Sequence, residues 1–199
     1  ANNSSPKADA TGNGFPLANT ATGFSTGVTN NAAALTGGTN DGTTPHLTIP
    51  NTLAAHADAG PFTVAGWVRR NSSTNWQRWL DINTNTSNTL WIAANNGVLD
   101  FNCAAGRTTY NFTASTQGQW AHYCVCVGGT SSGGWPSITL YINGMQVGSA
   151  NSNINLATVL LTGTTRAWLG RSAYTADTNF QADLDEHVFY DRALSATEV

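Results

Sequence analysis

The chain has 199 residues, 40% of them hydrophobic, yet only 10% are Asp, Glu, Lys or Arg. A soluble domain ordinarily carries about 25% charged residues, so polarity here rests on uncharged groups, with 22 Asn, 29 Thr and 20 Gly. Eight basic and eleven acidic side chains give a net charge of −3, Lys7 is the single lysine, and no basic stripe exists. Binding a phosphate backbone needs clustered cations, which excludes a nucleic-acid partner, and no apolar run approaches the ~18–20 residues that span a bilayer.

The length suits one domain, and the aromatic complement of seven Trp, seven Phe and five Tyr can fill its core. Residues 1–25 read as an N-terminal arm or linker. They are small and polar, and Phe15, Leu17 and Phe24 are their few apolar anchors. The chain starts at Ala1 without Met, which fits either removal of a signal peptide or trimming of an initiator Met. Asn2, Asn3, Asn71, Asn85 and Asn111 head glycosylation sequons, several of them expected by chance in so Asn- and Thr-rich a chain. The lysine-poor surface is of a kind associated with extracellular, cell-surface or particle-surface proteins.

From about residue 30, and so over a domain of residues 26–199, short apolar runs alternate with turn clusters. The predicted strands are His46–Ile49, Phe62–Arg69, Arg78–Asn83, Leu90–Ala94, Val98–Cys103, Thr109–Phe112, Trp120–Val127, Ser137–Ile142, Met145–Ser149, Arg166–Gly170 and Leu184–Tyr190. Asn143-Gly144 between two apolar runs marks a hairpin, because both central residues of its turn need positive φ. No window has an amphipathic helical period. Ser195 and Glu198 have capping-box spacing for one terminal helical turn. Many short strands with regular turns predict an all-β fold, an antiparallel β-sandwich or barrel.

Cys103, Cys124 and Cys126 are an odd number, so no closed disulfide framework exists. Cys124 and Cys126 share one face of a strand, and Cys103 lies in the preceding run. A bridge from Cys103 to Cys124 or Cys126 is one reading, and small buried thiols are the other. No Cys/His spacing supplies the four ligands of structural zinc.

The order of segments resembles laminin-G-like, concanavalin A-type jelly rolls. The resemblance rests on Phe62-Thr-Val-Ala-Gly-Trp67-Val, Gly118-Gln-Trp120-Ala-His122, Leu140-Tyr-Ile-Asn143-Gly144, Trp168-Leu-Gly170-Arg171, and the terminal run Leu184-Asp185-Glu186 through Val199. It covers about residues 30–199 and implies two facing antiparallel sheets. Trp67, Trp79, Trp120 and Trp168 are expected in the core. Strand alternation puts Asp185, His187 and Phe189 on one face, with His187 buried and hydrogen-bonded.

Hydrolases on such a fold need two opposed carboxylates. Here Asp183 and Asp185 share a face, but the third acid of the Glu-x-Asp-x-Glu pattern is replaced by His187. No nucleophile or phosphate-loop motif is present, so the chain is expected not to be an enzyme. The resemblance implies calcium as a cofactor, held by the early Asp-Gly loop and the terminal strand. That nominates Asp41 and Asp185 as metal ligands, although Thr44 and Pro45 replace the paired acids. The alternative is a turn-capping Asp41 and an Asp185 bonded to backbone. The aromatics outside the core pattern are Trp76, next to Arg78, Trp135 and Tyr174. These four residues are the candidate ligand-binding set.

Two functions are therefore expected to compete. One is a non-catalytic recognition or adhesion module for glycans or a protein surface partner. The other is a structural subunit or decoration of an extracellular filament, sheath or virus particle, self-assembling through the arm and sheet edges.

Overall fold

The computed structural model describes residues 11–13, 16–20, 22–50, 61–83, 85–86, 89–95, 98–103, 106–110, 117–128, 137–151 and 166–199. These form fourteen strands in two antiparallel seven-stranded sheets, and no helix occurs among the described residues. The strands are β1 (Ala18–Thr20), β2 (Gly23–Thr26), β3 (Asn31–Thr39), β4 (His46–Ile49), β5 (Phe62–Arg70), β6 (Gln77–Asn83) and β7 (Thr89–Asn95), followed by β8 (Val98–Cys103), β9 (Gly106–Tyr110), β10 (Trp120–Val127), β11 (Ser137–Ile142), β12 (Met145–Asn151), β13 (Arg166–Leu169) and β14 (Thr178–Tyr190). The first sheet runs β1-β4-β13-β6-β7-β8-β9 and the second β12-β11-β10-β5-β14-β3-β2. The expected antiparallel sandwich is present.

The core follows from period-2 alternation. Val64 and Val68 of β5, Tyr123 and Val125 of β10, and Phe180 and Leu184 of β14 meet Leu80, Ile82 and Ile92 of the first sheet. Trp79 is fully buried among them, its ring 5.3 Å from that of Tyr123 and nearly perpendicular to it. The Asn143-Gly144 turn joins β11 to β12, with φ of 50° and 76° at its two residues.

Several expectations change on contact with the register. The last part of the presumed arm is not separate: β1 pairs with β4 and β2 with β3, one strand in each sheet, and Leu17 packs against the core. Trp67 and Trp120 are not core residues. They lie on the outward face of the second sheet, half-buried, because the inward positions of β5 and β10 belong to Val64, Val68, Ala121 and Tyr123. Asp185 does not share a face with His187 and Phe189. A bulge between Asp185 and Val188, with Glu186 at φ 47°, leaves Asp185 outward opposite Trp67 and turns His187 inward.

His187 sits where the fold allows no substitute for glycine beside it. A Cβ on Gly66 would lie 2.5 Å from the imidazole Cγ. The indole N–H of Trp79 donates to His187 Nε2 at 2.9 Å, and Nδ1 donates to the Asp185 carbonyl at 3.1 Å. The single tautomer that satisfies both bonds has its proton on Nδ1.

The proposed Cys103 bridge is also displaced. Cys103 belongs to the first sheet, opposite Leu90 and Gly106, whereas Cys124 and Cys126 lie on the outward face of the second. Both are free thiols, 3.8 Å apart, covered with Ala65 and Tyr141 by Leu194 and Val199. Face-packed sheets stand about 10 Å apart, too far for a disulfide's Cα spacing of ~4.4–6.8 Å. The capping-box residues form a single turn: Ser195 N–H donates to Glu198 Oε2 at 2.9 Å, and Arg192 adds an ion pair to the same carboxylate.

Candidate functional site

The outward face of the first sheet gathers residues far apart in the chain. Inward positions on β6 and β7 are apolar, so Asp81 and Trp91, directly opposite each other, point outward. A register shift between Arg78 and Leu80 keeps Arg78 on that outward side while Trp79 goes to the core. Immediately before β6, Trp76 has φ 59°, a left-handed conformation uncommon for a bulky residue. The loop after β13 then brings Tyr174 across.

These side chains converge on one guanidinium. Arg78 Cζ lies 3.7 Å from the Trp91 ring centroid, 5.6 Å from that of Tyr174 and 5.7 Å from that of Trp76. Trp76 and Trp91 meet edge to face, 6.1 Å apart at 81°. Cation–π contacts of this kind add roughly 0.5–2 kcal/mol each, most when desolvated. Trp91 is buried, Trp76 half-buried, and Tyr174 is exposed at 38%.

The polar side of Arg78 is equally organised. Its Nη2 donates to Asp177 Oδ2 at 2.9 Å, its Nε to Ser172 Oγ at 3.3 Å, and Asp81 Oδ2 lies 3.9 Å from Nε. Ser172 Oγ donates to the same Asp177 oxygen and accepts from Tyr174 N–H, fixing the loop. Asn40 Nδ2 holds the loop from below through the carbonyls of Ser172 and Tyr174. Tyr174 OH donates to the Thr86 carbonyl. Burial pulls the Arg78 pKa down, opposed by Asp177 and then Asp81. Burial pushes Asp81 up, although Ala173 N–H, Arg78, Asn83 and Thr89 all favour its carboxylate. Arg78 Nη1 is buried with no hydrogen-bond partner, as is Asn83 Oδ1 beside Asp81. The result is a rigid guanidinium framed by three aromatic rings, of which Tyr174 is the exposed one.

Of the sequence candidates, Trp76, Arg78 and Tyr174 are thus brought together. Trp135 lies outside the described residues. Trp91 was missed because it sits inside a regular strand, where an aromatic residue signals packing. Trp168, opposite Asp81 on the same outward face, is buried but is not the core residue expected, since the inward positions of β13 are Ala167 and Leu169. It is flanked by the guanidinium groups of Arg171 at 4.6 Å and Arg166 at 5.8 Å.

Asp41 and Asp185 do not form one metal site. Asp185 is next to Leu184, which pairs with Ala33 near the start of β3, whereas Asp41 follows the end of that nine-residue strand. At ~3.3 Å per residue they stand roughly 25–30 Å apart. Asp41 Oδ1 accepts from the N–H and hydroxyl groups of Thr43 and Thr44, which hold its pKa down at about 2. Asp185 Oδ2 accepts from Val28 and Thr29 N–H and caps the β2–β3 hairpin. No cluster of three or more His, Cys, Asp or Glu suited to a metal occurs among the described residues. The donor sets at Asp41 and Asp185 therefore do not fit the six to eight oxygens of calcium.

Asp183, considered with Asp185 for hydrolysis, is likewise engaged, and so are Asp81, Asp177 and Glu198. Asp183 Oδ2 accepts from Arg69 Nε at 2.9 Å and Asn71 Nδ2 at 2.7 Å. Asp81 and Asp177 share Arg78, and Glu198 is paired with Arg192.

The fold has many relatives of known structure. Domain 4 of AbnA, a GH43 extracellular arabinanase from Geobacillus stearothermophilus solved with arabinotriose, is 20% identical, with a TM-score of 0.66 over 96% of this chain and 89% of that one. Botulinum neurotoxin type C, described as entering cells through interaction with two ganglioside molecules, is 14% identical with a TM-score of 0.65, covering 96% of this chain and 46% of that one. The binding domain of botulinum neurotoxin DC, solved with rat synaptotagmin II, is 14% identical with a TM-score of 0.63, covering 92% and 46%. This chain therefore spans less than half of those toxin chains. No curated protein matches it in sequence. At such identities the structural likeness establishes the fold, and the family model of the laminin-G type matches residues 41–199. The chain belongs to the concanavalin A-like lectin/glucanase superfamily.

Proposed function

We propose that the chain is a non-catalytic recognition module that binds glycans on an extracellular, cell or particle surface. Trp76, Arg78, Trp91 and Tyr174 form its contact set. The observation that carries this reading is the convergence of three aromatic rings on a guanidinium whose buried Nη1 has no acceptor. Sugars offer a C–H face to an aromatic ring and a hydroxyl oxygen to a donor, and convergent polar groups in an apolar frame are the usual mark of a binding site. The arabinotriose and ganglioside named for the structural relatives are consistent with this class of ligand. The non-catalytic part of the reading rests on the engaged state of Asp177, Asp183 and Asp185, held by a cation or by backbone donors. The competing reading, a structural subunit assembling through its arm, loses support because residues 18–20 and 23–26 already pair within their own sheets.

The test is an array of neutral and acidic oligosaccharides that includes arabinotriose and sialyllactose, followed by titration calorimetry. Tyr174→Ala and Trp76→Ala are expected to weaken binding by about tenfold each, or about 1.4 kcal/mol, with an unchanged melting profile. Silence on the array, or unaltered affinity in both variants, removes the reading.

A further inference from the structure

Trp67 and Trp120 stand outside the core on the other side of the molecule, and the register arranges them with charged neighbours in two rungs. Across β14, β5 and β10, Asp185, Trp67 and His122 lie directly opposite one another, and so do Asp183, Arg69 and Trp120. The Trp67 and His122 rings meet at 5.5 Å and 63°, and Arg69 Cζ lies 4.9 Å over the Trp120 ring. Trp67, Trp120, Arg69 and His122 are all half-buried. Next to Asp183 the sheet continues with the small Ala34.

The same outward face divides in two. Its other half carries Ala65, Cys124, Cys126 and Tyr141, and the terminal residues Leu194 and Val199 cover it. The half with the larger rings has no such cover among the described residues. Its charges are balanced internally: Asp183 is held by Arg69 and Asn71, and Asp185 caps the β2–β3 hairpin. A charged partner would have to break these pairs. An uncharged one has ring faces to lie on, with imidazole and guanidinium edges for hydrogen bonds. Neutral sugars have that chemistry.

We infer that Trp67, Trp120, Arg69 and His122 form a second glycan-binding face, for uncharged oligosaccharides. It lies on the opposite outer surface from the Arg78 site. The inference rests on the glycan reading proposed above but not on the Arg78 site itself. Two sites facing away from each other make the module bivalent: it joins two glycan chains rather than gripping one twice, because one short chain cannot reach both faces.

The experiment titrates the full chain with arabinotriose and with lactose, following heat and the indole N–H resonances together. Two equivalents are expected, with Trp67 and Trp120 resonances shifting in one binding event and Trp76 and Trp91 in the other. Trp120→Ala and His122→Ala are expected to remove one equivalent and leave the other, and Tyr174→Ala to weaken only that other one, about tenfold. The wild-type resonances decide the matter even if a Trp variant misfolds. A single equivalent that shifts only Trp76 and Trp91 overturns this second face and leaves the proposed function standing. A single equivalent that shifts only Trp67 and Trp120 supports this face and overturns the Arg78 site. No binding of either sugar overturns both.

Discussion

Trp79 and Arg78 are neighbours in sequence, yet they anchor two regions of opposite character. Inward, Trp79 is packed against Tyr123 and clasped to His187, whose two ring nitrogens are both hydrogen-bonded. Outward, Arg78 is charged, stacked on Trp91, shared between two carboxylates and left with its buried Nη1 unused. A buried polar group with every bond made specifies the fold, whereas one with a bond still to make is a candidate for work on a ligand. The difference lies in satisfaction, since both groups are largely withdrawn from water.

Three experiments test that contrast. Trp79→Ala removes the largest fully buried side chain and also the donor to His187. A loss of about 4–5 kcal/mol is expected in chemical denaturation, with saccharide affinity retained by whatever fraction stays folded. If affinity falls along with stability, the two regions are not separable. Arg78→Met leaves Asp81 and Asp177 buried without their cation, at a cost of about 3 kcal/mol. Unlike the core variant, it is expected to abolish binding at the Arg78 site, with the Trp67 and Trp120 face keeping its own equivalent. Arg78→Lys sharpens the point, because it keeps the charge but loses the planar fork: stability should largely survive and binding at that site should not.

The smallest effect is a pH dependence. Burial lowers the His187 pKa from 6.5 to about 4, so above pH 6.5 the group is neutral whether folded or unfolded and contributes nothing. As pH falls from 6.5 toward 4, the unfolded chain takes up a proton that the native imidazole refuses. Stability then declines by about 1–3 kcal/mol before levelling off. Burial also lowers His46 and His122, which act with the same sign. His187→Gln should therefore flatten the slope of urea midpoint against pH without removing it, and an unchanged slope refutes the assignment to His187.

The sequence made the sandwich legible wherever strands carry β-branched and aromatic residues, as in β5, β10 and β11. It hid β1, β2 and β3, which are built mainly of Ala, Gly, Thr and Asn, with Phe24 and Leu35 their two large apolar residues, and form strands because neighbouring strands offer them partners. The aromatic site was partly legible: Trp76 and Tyr174 stand outside any alternating run, which marked them as free of packing duty. Trp91 carried no such mark, and neither did the outward lie of Trp67 and Trp120. Face assignment needs register, and strand alternation alone leaves it ambiguous by one residue. The bulge at Glu186 is the sharpest case, since one left-handed residue separates Asp185 from His187. Cys103 misled because nearness in sequence suggested pairing with β10, while the topology sends β8 to the other sheet.

The pair Cys124 and Cys126 has a practical consequence. Leu194 and Val199 lie over them, and Leu194 N–H and the Arg192 carbonyl are tied down by the one hydroxyl of Thr63. A thiol-modifying reagent reaches the sulfurs only when that flap lifts. Their labelling rate thus clocks the fraying of the last nine residues, separately from global unfolding. The molecule carries its own stopwatch for local opening.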